Sequence, residues 1–139
     1  MGRPASQHPT ELELEILKVL WRDGPAPVRH VRDALAAAGR DLAYTSVMTI
    51  MNIMADKKYV RRTKDAGGAS FVYHPRVSEK STSRRMLKDL VDRVFGGSAA
   101  AAMLHLLETS DVTDEELHQL RQLIARKAKE KGHEPDRPA

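Results

Sequence analysis

The stretch AYTSVMTIMNIMADK, residues 43–57, decides the fold of this chain. Its apolar side chains recur at helical spacing, which places Val47, Ile50, Met51 and Met54 on one face of a helix. The opposite face carries short polar groups, and the stretch has no charged residue before its last two positions. Since an exposed helix face usually carries charged side chains, this pattern favours a helix that contacts another surface.

Two shorter helices are predicted before this stretch. Thr10 fits an N-cap with Glu13 three residues later, and the helix that follows ends near Gly24. Prolines then break the chain before a second amphipathic helix, which begins at Val28 and closes at Gly39.

A β-hairpin is predicted after the third helix. Residues 59–64 and 70–74 alternate in polarity and are rich in residues that favour strands, and the Asp-Ala-Gly-Gly sequence at 65–68 is typical of a turn. Three helices followed by a hairpin make a winged helix-turn-helix, which we place at residues 9–77.

The rest of the chain, residues 78–131, is predicted to be helical. One helix ends at Gly96-Gly97, a short apolar helix follows, and a last helix starts at an N-cap formed by Thr113 and Glu116. The predicted fold class is therefore mainly α with a small β-hairpin: a winged helix-turn-helix plus a C-terminal helical dimerisation arm. Residues 1–8 and 132–139 are interpreted as flexible tails.

The three helices of the arm carry apolar stripes that so slender an arm cannot bury alone. Packing against the same arm of a second chain would cover them, which predicts a symmetric homodimer. The alternative is that they fold back onto the winged helix and give a monomer. The residues assigned to the dimer contact are Met86, Leu87, Leu90, Val91, Val94, Phe95, Met103, Leu104, Leu107, Leu117, Leu120, Leu123 and Ile124.

Composition argues against several classes of protein. The 139 residues contain no cysteine, which excludes disulfides and thiolate chemistry, and no apolar run approaches the roughly 18 to 20 residues of a membrane span. The six histidines are scattered, and no catalytic triad or phosphate-binding glycine loop is present. We therefore expect a cytoplasmic protein that is not an enzyme, has no metal site or cofactor and does not insert into a membrane.

The charge of the chain is one-sided. The formal net charge is +4, and residues 1–78 contain 12 Lys and Arg against 8 Asp and Glu, whereas residues 79–139 contain 11 of each. A basic module joined to a neutral interaction module is typical of a DNA-binding protein. In such a module the uncharged face of the third helix would enter the major groove. The predicted base-reading residues are Thr45, Ser46, Met48, Thr49 and Asn52; the alternative is a merely solvated face.

Cations follow the third helix directly, with five Lys or Arg among residues 57–64. Such residues supply affinity and salt dependence through phosphate contacts. The alternative is an edge strand protected by charge against aggregation. The predicted phosphate-binding residues are Arg29, Tyr44, Lys57, Arg61, Arg62 and Lys64, although the ring of Tyr44 would equally fill the turn between helices.

These features lead to two hypotheses of different kinds. The first is a dimeric transcriptional repressor that places two recognition helices in successive major grooves. The second is a protein-interaction module that keeps the winged-helix shape but lacks specific DNA binding. Steep salt dependence on random duplex DNA would distinguish the first from the second.

A family resemblance supports the first hypothesis. The run from Asp41 to Met51, preceded by Glu15 to Trp21, closely resembles the penicillinase repressor (BlaI/MecI) family, and the similarity extends from Glu11 to Ile124. The resemblance implies a dimeric winged-helix repressor that binds a palindromic operator. Such operators often control the repressor's own operon and genes for β-lactamase, for cell-envelope stress or for a membrane-bound sensor protease.

The resemblance also implies a means of release. In the better-known members a sensor-protease pathway cleaves the dimerisation region, and His105-Leu106 falls near that region by order along the chain. Copper-responsive relatives carry C-terminal cysteine motifs. Since this chain has no cysteine, it is not one of them.

Two positions depart from the family pattern. Lys58 stands where relatives usually have Gly, and a left-handed conformation there would cost Lys roughly 1 kcal/mol or more. Ile53 stands where an Arg is common. The first puts the local end of the recognition helix in question, and the second puts one backbone contact in question.

Overall fold

The computed structural model describes residues 8–68 and 70–132, which contain six helices and one two-stranded antiparallel sheet. The elements, in chain order, are α1 Glu11–Asp23, α2 Val28–Ala37, α3 Tyr44–Asp56, β1 Val60–Lys64, β2 Phe71–Pro75, α4 Glu79–Val94, α5 Ala99–Thr109 and α6 Asp114–Gly132. The mainly α fold with a hairpin after the third helix confirms the predicted winged helix-turn-helix class. Of the predicted tails, residues 1–7 and 133–139 lie outside the described residues.

The chain forms two compact units, one up to Leu90 and one from Val91. The proposed domain boundary at 77–78 lies just before α4 begins. Thr82, in the first turns of α4, is buried within the first unit.

Helix α1 begins at the predicted capping box. The Glu13 amide donates to Thr10 Oγ1 at 3.2 Å, and the Thr10 amide donates to Glu13 Oε1 at 2.8 Å. The same arrangement joins Thr113 and Glu116 at the start of α6, and the hydrogen bond from the Thr113 amide lowers the pKa of the Glu116 carboxyl. Both caps satisfy amides that the first turn of a helix would otherwise leave unpaired.

Helices α2 and α3 end in the same Schellman motif but with different residues. At the end of α2, Gly39 has φ 92° and the Arg40 amide donates back to the Leu35 carbonyl at 2.8 Å. At the end of α3 the left-handed position is taken by Lys58, with φ 68°, and the next amide donates to the Met54 carbonyl at 2.9 Å. Lys58 is the only residue other than glycine with positive φ in the described part of the chain.

The left-handed conformation of Lys58 gives a stability prediction. Lys58→Gly is expected to raise the free energy of unfolding by about 1 kcal/mol, because glycine adopts positive φ without a clash at Cβ. Urea unfolding of the first unit, followed by the fluorescence of the single tryptophan, measures this change. Lys58→Ala is the control, since it removes the charge but keeps the strain; stabilisation by alanine of the same size would assign the effect to charge instead.

The hairpin is attached to the helices through its second strand. In the register of the sheet Arg62 lies opposite Tyr73, and Lys64 lies opposite Phe71. The segment between α1 and α2 adds an isolated bridge, in which Ala26 and Tyr73 exchange two backbone hydrogen bonds of 3.1 and 2.9 Å. The hairpin is therefore anchored to the helical part of the unit, because its second strand pairs with β1 on one side and with Ala26 on the other.

The core lies between the three helices and the hairpin. Its fully buried larger side chains are Ile16, Leu17, Leu20, Val31, Val47, Met51, Met54, Val60 and Tyr73. Trp21 packs against this core, and its indole Nε1 donates to the Val77 carbonyl at 2.9 Å. Aliphatic and methionine side chains thus supply most of the burial in a chain that has few aromatic residues.

The second unit leaves much of its apolar surface exposed. Leu104 and Ile124 are 62% and 59% exposed, and a groove of about 500 Å³ between α5 and α6 is lined mainly by leucine and other apolar side chains. Within this unit the rings of Phe95 and His105 lie 5.9 Å apart. No single helix of the described residues is both long and apolar enough to cross a membrane, although α4 and α5 taken together pass on length and composition.

Candidate nucleic-acid interface

The rotation of α3 is fixed by the side chains that it buries. Val47, Met51 and Met54 are fully buried, as the spacing predicts, and Ile50 packs partly against the same core. The opposite face is consequently directed away from the core. Of the predicted base-reading residues, Thr45, Ser46, Met48 and Thr49 are exposed on it, whereas Asn52 is half-buried.

A concave surface lies beside the N-terminal half of α3. It is a groove of about 530 Å³ between the start of α2, the start of α3 and the hairpin. Arg29 and Tyr44, both predicted to bind phosphate, line this groove together with Met48 and Phe71. The fold therefore brings residues from three elements to one surface.

The cations of β1 divide between two faces of the hairpin. Successive side chains of a strand point to opposite faces, so Arg62 and Lys64 share the face of buried Val60, whereas Arg61 lies on the other. On that other face Thr63 Oγ1 and His74 Nε2 are 3.0 Å apart. The predicted set of phosphate-binding residues is thus not a single patch, and only Arg62 and Lys64 lie on the strand face that is turned toward the helices.

Arg62 and Lys64 are held beside the same aromatic ring. The guanidinium carbon of Arg62 lies 5.0 Å from the centre of the Phe71 ring, and Lys64 Nζ lies 5.9 Å from the same centre. Such cation–π contacts contribute about 0.5–1 kcal/mol at exposed sites. Phe71 therefore reduces the freedom of two positive groups without neutralising their charge.

Arg62 also reaches across to α3. Its Nη1 donates to Asn52 Oδ1, and the Tyr73 hydroxyl donates to the same oxygen at 2.8 Å. Asn52 thus links α3 to both strands of the hairpin.

Lys57 differs in its surroundings from the other cations predicted to bind phosphate. Its Nζ lies 2.9 Å from Glu13 Oε2, and the Glu13 side chain is only 4% exposed. Lys57 also lies over the Tyr59 ring, 5.9 Å from its centre, and burial raises the pKa of the Tyr59 hydroxyl. The contacts of Lys57 therefore join the end of α3 to α1.

The turn between α2 and α3 is secured by Arg40. Its guanidinium donates to both carboxylate oxygens of Glu15 on α1 and to Glu11 at 3.3 Å. The hydrogen bonds from Arg40 lower the pKa of the Glu15 carboxyl. This ion pair holds the segment between α2 and α3 against α1.

Two further positions singled out in the sequence are also exposed. Ile53, which the family resemblance placed at a position of a backbone contact, is 43% exposed on α3. His105 and Leu106, the predicted cleavage region, lie inside α5 with helical backbone. Cleavage at this point stays a prediction.

No group of three or more His, Asp or Glu within residues 8–68 and 70–132 is placed to hold a metal ion.

Sequence reasoning overlooked the two aromatic residues of β2. Phe71 lies beside the exposed cations, and Tyr73 meets Asn52 from the core side. Their alternation placed them on one face of a strand, but the face that they share with Arg62 depends on the hairpin register. The register of the hairpin was not predicted from the sequence, so the position of these two rings beside Arg62 and Asn52 was missed.

Comparison with known proteins decides the family. The sequence profile described as penicillinase repressor matches residues 9–126, which includes α3, the hairpin and most of the helices that follow. The chain belongs to the penicillinase repressor family. The resemblance found in the sequence is thereby confirmed.

Named members of the penicillinase repressor family match over most of their length. The transcriptional regulator BlaI of Mycobacterium tuberculosis is 33% identical over 90% of this chain and 88% of its own length. The methicillin resistance regulatory protein MecI of Mammaliicoccus sciuri is 22% identical over 83% of this chain and 91% of its own. The penicillinase repressor of Bacillus licheniformis is 24% identical over 83% and 88%.

The penicillinase repressor family consists of DNA-binding transcriptional regulators and not of enzymes. Membership therefore supports a repressor role for this chain and supports DNA as its partner. The prediction that the protein is not an enzyme is confirmed by the family.

Proposed function

We propose that this chain is a dimeric repressor that binds a palindromic operator, with the exposed face of α3 in the major groove. The observation that carries the proposal is the uncharged, exposed face at Thr45, Ser46 and Thr49 beside the cation-bearing hairpin. Short hydroxyl side chains suit hydrogen bonds to base edges, and Met48 suits contact with a thymine methyl group. The cations contact phosphate and set the register on the duplex.

The exposed apolar surface of α5 and α6 supports a two-fold symmetric dimer. A symmetric pair of arms would bury that surface and place the two α3 helices one helical turn of DNA apart, about 34–36 Å. The operator would then have two matching half-sites.

The controlled genes and the release step are extensions of this proposal. The names of the relatives refer to penicillinase and to methicillin resistance. By analogy we propose that the operator lies before genes for β-lactamase or for cell-envelope stress, and before the repressor's own operon. Release by a membrane sensor-protease pathway would cut near His105-Leu106.

Selection from random duplex DNA tests the proposal. We expect the purified chain to enrich a palindromic consensus, and we expect the affinity for that consensus to fall steeply with salt. An unenriched pool, or a footprint without two-fold symmetry, would contradict the repressor and favour the protein-interaction module.

Two substitutions separate base reading from phosphate binding. Thr49→Val keeps the shape of the side chain but removes its hydroxyl, and is expected to relax the preference at one base pair of each half-site by about 1 kcal/mol. Lys64→Ala is expected to weaken binding to all sequences alike and to lower the salt slope by about 1 for each subunit of the dimer. Titrations of the consensus and of its single-base variants measure both. A salt slope altered by Thr49→Val would contradict the assignment.

A further inference from the structure

Asn52 has its carbonyl oxygen fully occupied within the protein. Oδ1 accepts from Arg62 Nη1 and from the Tyr73 hydroxyl, and an amide oxygen has two lone pairs. The orientation of the amide is settled by chemistry, because a guanidinium only donates and must therefore meet the oxygen.

This occupancy conflicts with the role predicted for Asn52 from the sequence. An asparagine reads adenine by accepting from N6 with its oxygen while it donates to N7 with its nitrogen. Here the oxygen has no lone pair left for a base. To read adenine, Asn52 would have to release Arg62 or leave the hydroxyl of Tyr73, a residue that is 1% exposed, without its acceptor.

Arg62 is correspondingly restrained from two sides. One nitrogen of its guanidinium is bound to Asn52, and the guanidinium carbon lies 5.0 Å from the centre of the Phe71 ring. A guanidinium has five N–H donors, so four remain after the bond to Asn52, and guanidinium binds phosphate with two parallel hydrogen bonds. Fixing this side chain before DNA arrives lowers the ordering cost of binding.

We propose that Asn52 is a positioning residue rather than a reader of bases. It holds Arg62 for contact with a DNA phosphate at the edge of the major groove that α3 enters. The inference rests on the proposed function as a DNA-binding repressor. It adds a division of labour along α3: the first turns of the helix select bases, and Asn52 acts through the hairpin.

The test is a double-mutant cycle in the Tyr73→Phe background. That background removes the buried hydroxyl, so that Asn52→Ala leaves no unpaired group in the core. Affinity for the selected consensus and for random duplex is measured at several salt concentrations. Arg62→Ala is expected to weaken binding to both by about tenfold and to lower the salt slope by about 1 for each subunit of the dimer.

Asn52→Ala is expected to weaken binding to both duplexes by about three- to fivefold, because Arg62 must then be ordered on binding. It should leave the base preference unchanged, and the variant that lacks both Asn52 and Arg62 should bind like Arg62→Ala alone. Asn52→Asp keeps the acceptor but partly neutralises Arg62, so it should lower the salt slope with the same base preference. Arg61→Ala, on the other face of β1, is the control and should show no coupling to Asn52.

Additive effects of Asn52→Ala and Arg62→Ala would overturn the inference, as would a relaxed preference at any base pair in Asn52→Ala. In either case the salt-dependent binding of the wild type would leave the proposed function intact. Binding of the wild type that does not depend on salt would overturn the proposed function and this inference together.

Discussion

Replacing Lys57 with Met is expected to lower the free energy of unfolding of the first unit by about 3 kcal/mol, a large effect for one surface-adjacent residue. Lys57 Nζ lies 2.9 Å from the carboxylate of Glu13, whose side chain is 4% exposed. Methionine has a similar volume but would leave that carboxylate buried without its cation. Urea unfolding, monitored through Trp21, measures the loss.

The matched rescue is the double variant Lys57→Met with Glu13→Gln. Glutamine keeps the hydrogen bond that the Thr10 amide donates to the side chain of residue 13 and carries no charge, so most of the lost stability should return. Lys18→Met, on the exposed face of α1, should change stability by no more than about 0.5 kcal/mol. Equal effects of Lys57→Met and Lys18→Met on the free energy of unfolding would show that the ion pair of Lys57 with Glu13 does not stabilise the fold.

The second large effect concerns the arm. Ile124→Glu is expected to abolish the dimer and to weaken binding to a palindromic operator at least about 100-fold, because each half-site would then be bound by an independent chain. Ile124 is 59% exposed in the single chain and lines the apolar groove between α5 and α6. The substitution should therefore leave the fold of the chain intact while it places a charge in the proposed contact. Light scattering gives the mass, and an operator titration gives the affinity.

Gln122→Glu adds the same charge on the opposite side of α6 and is the control for this experiment. We expect it to remain dimeric and to bind the operator nearly as the wild type does. A dimer that persists in Ile124→Glu would move the contact to another surface of the chain. A wild type that is already monomeric would favour the fold-back alternative.

The fold was predictable because its signals are local. Thr10 and Thr113 cap helices through a glutamate three residues later, and both capping boxes are present. The apolar spacing of α3 likewise identified the side chains that the core buries, since a helix turns its faces with a fixed period. The departure at Lys58 was also informative: it put the local end of the helix in question, and the structure has a left-handed conformation there despite its cost for lysine.

The contacts within the candidate site were not predictable in the same way. The pairing of Lys57 with Glu13 joins positions 44 residues apart, and nothing in either local pattern indicates it. The division of Arg61 from Arg62 depends on the register of the hairpin, and the occupancy of Asn52 depends on Tyr73 arriving from β2. In the sequence the cations of residues 57–64 therefore look like one patch, and only the pairing of the strands shows that those of β1 lie on two faces.

The attachment of the hairpin to the helices affects how the first unit folds. A bundle of three helices forms quickly from contacts between near neighbours in the chain, whereas pairing between distant segments is slow because the intervening loop must first close. Here Ala26 pairs with Tyr73, and Trp21 bonds to Val77 across 56 residues. During synthesis, α1 therefore acquires its hydrogen bond to Val77 only after that residue has left the ribosome, and we expect the helices to stay loosely packed until that point.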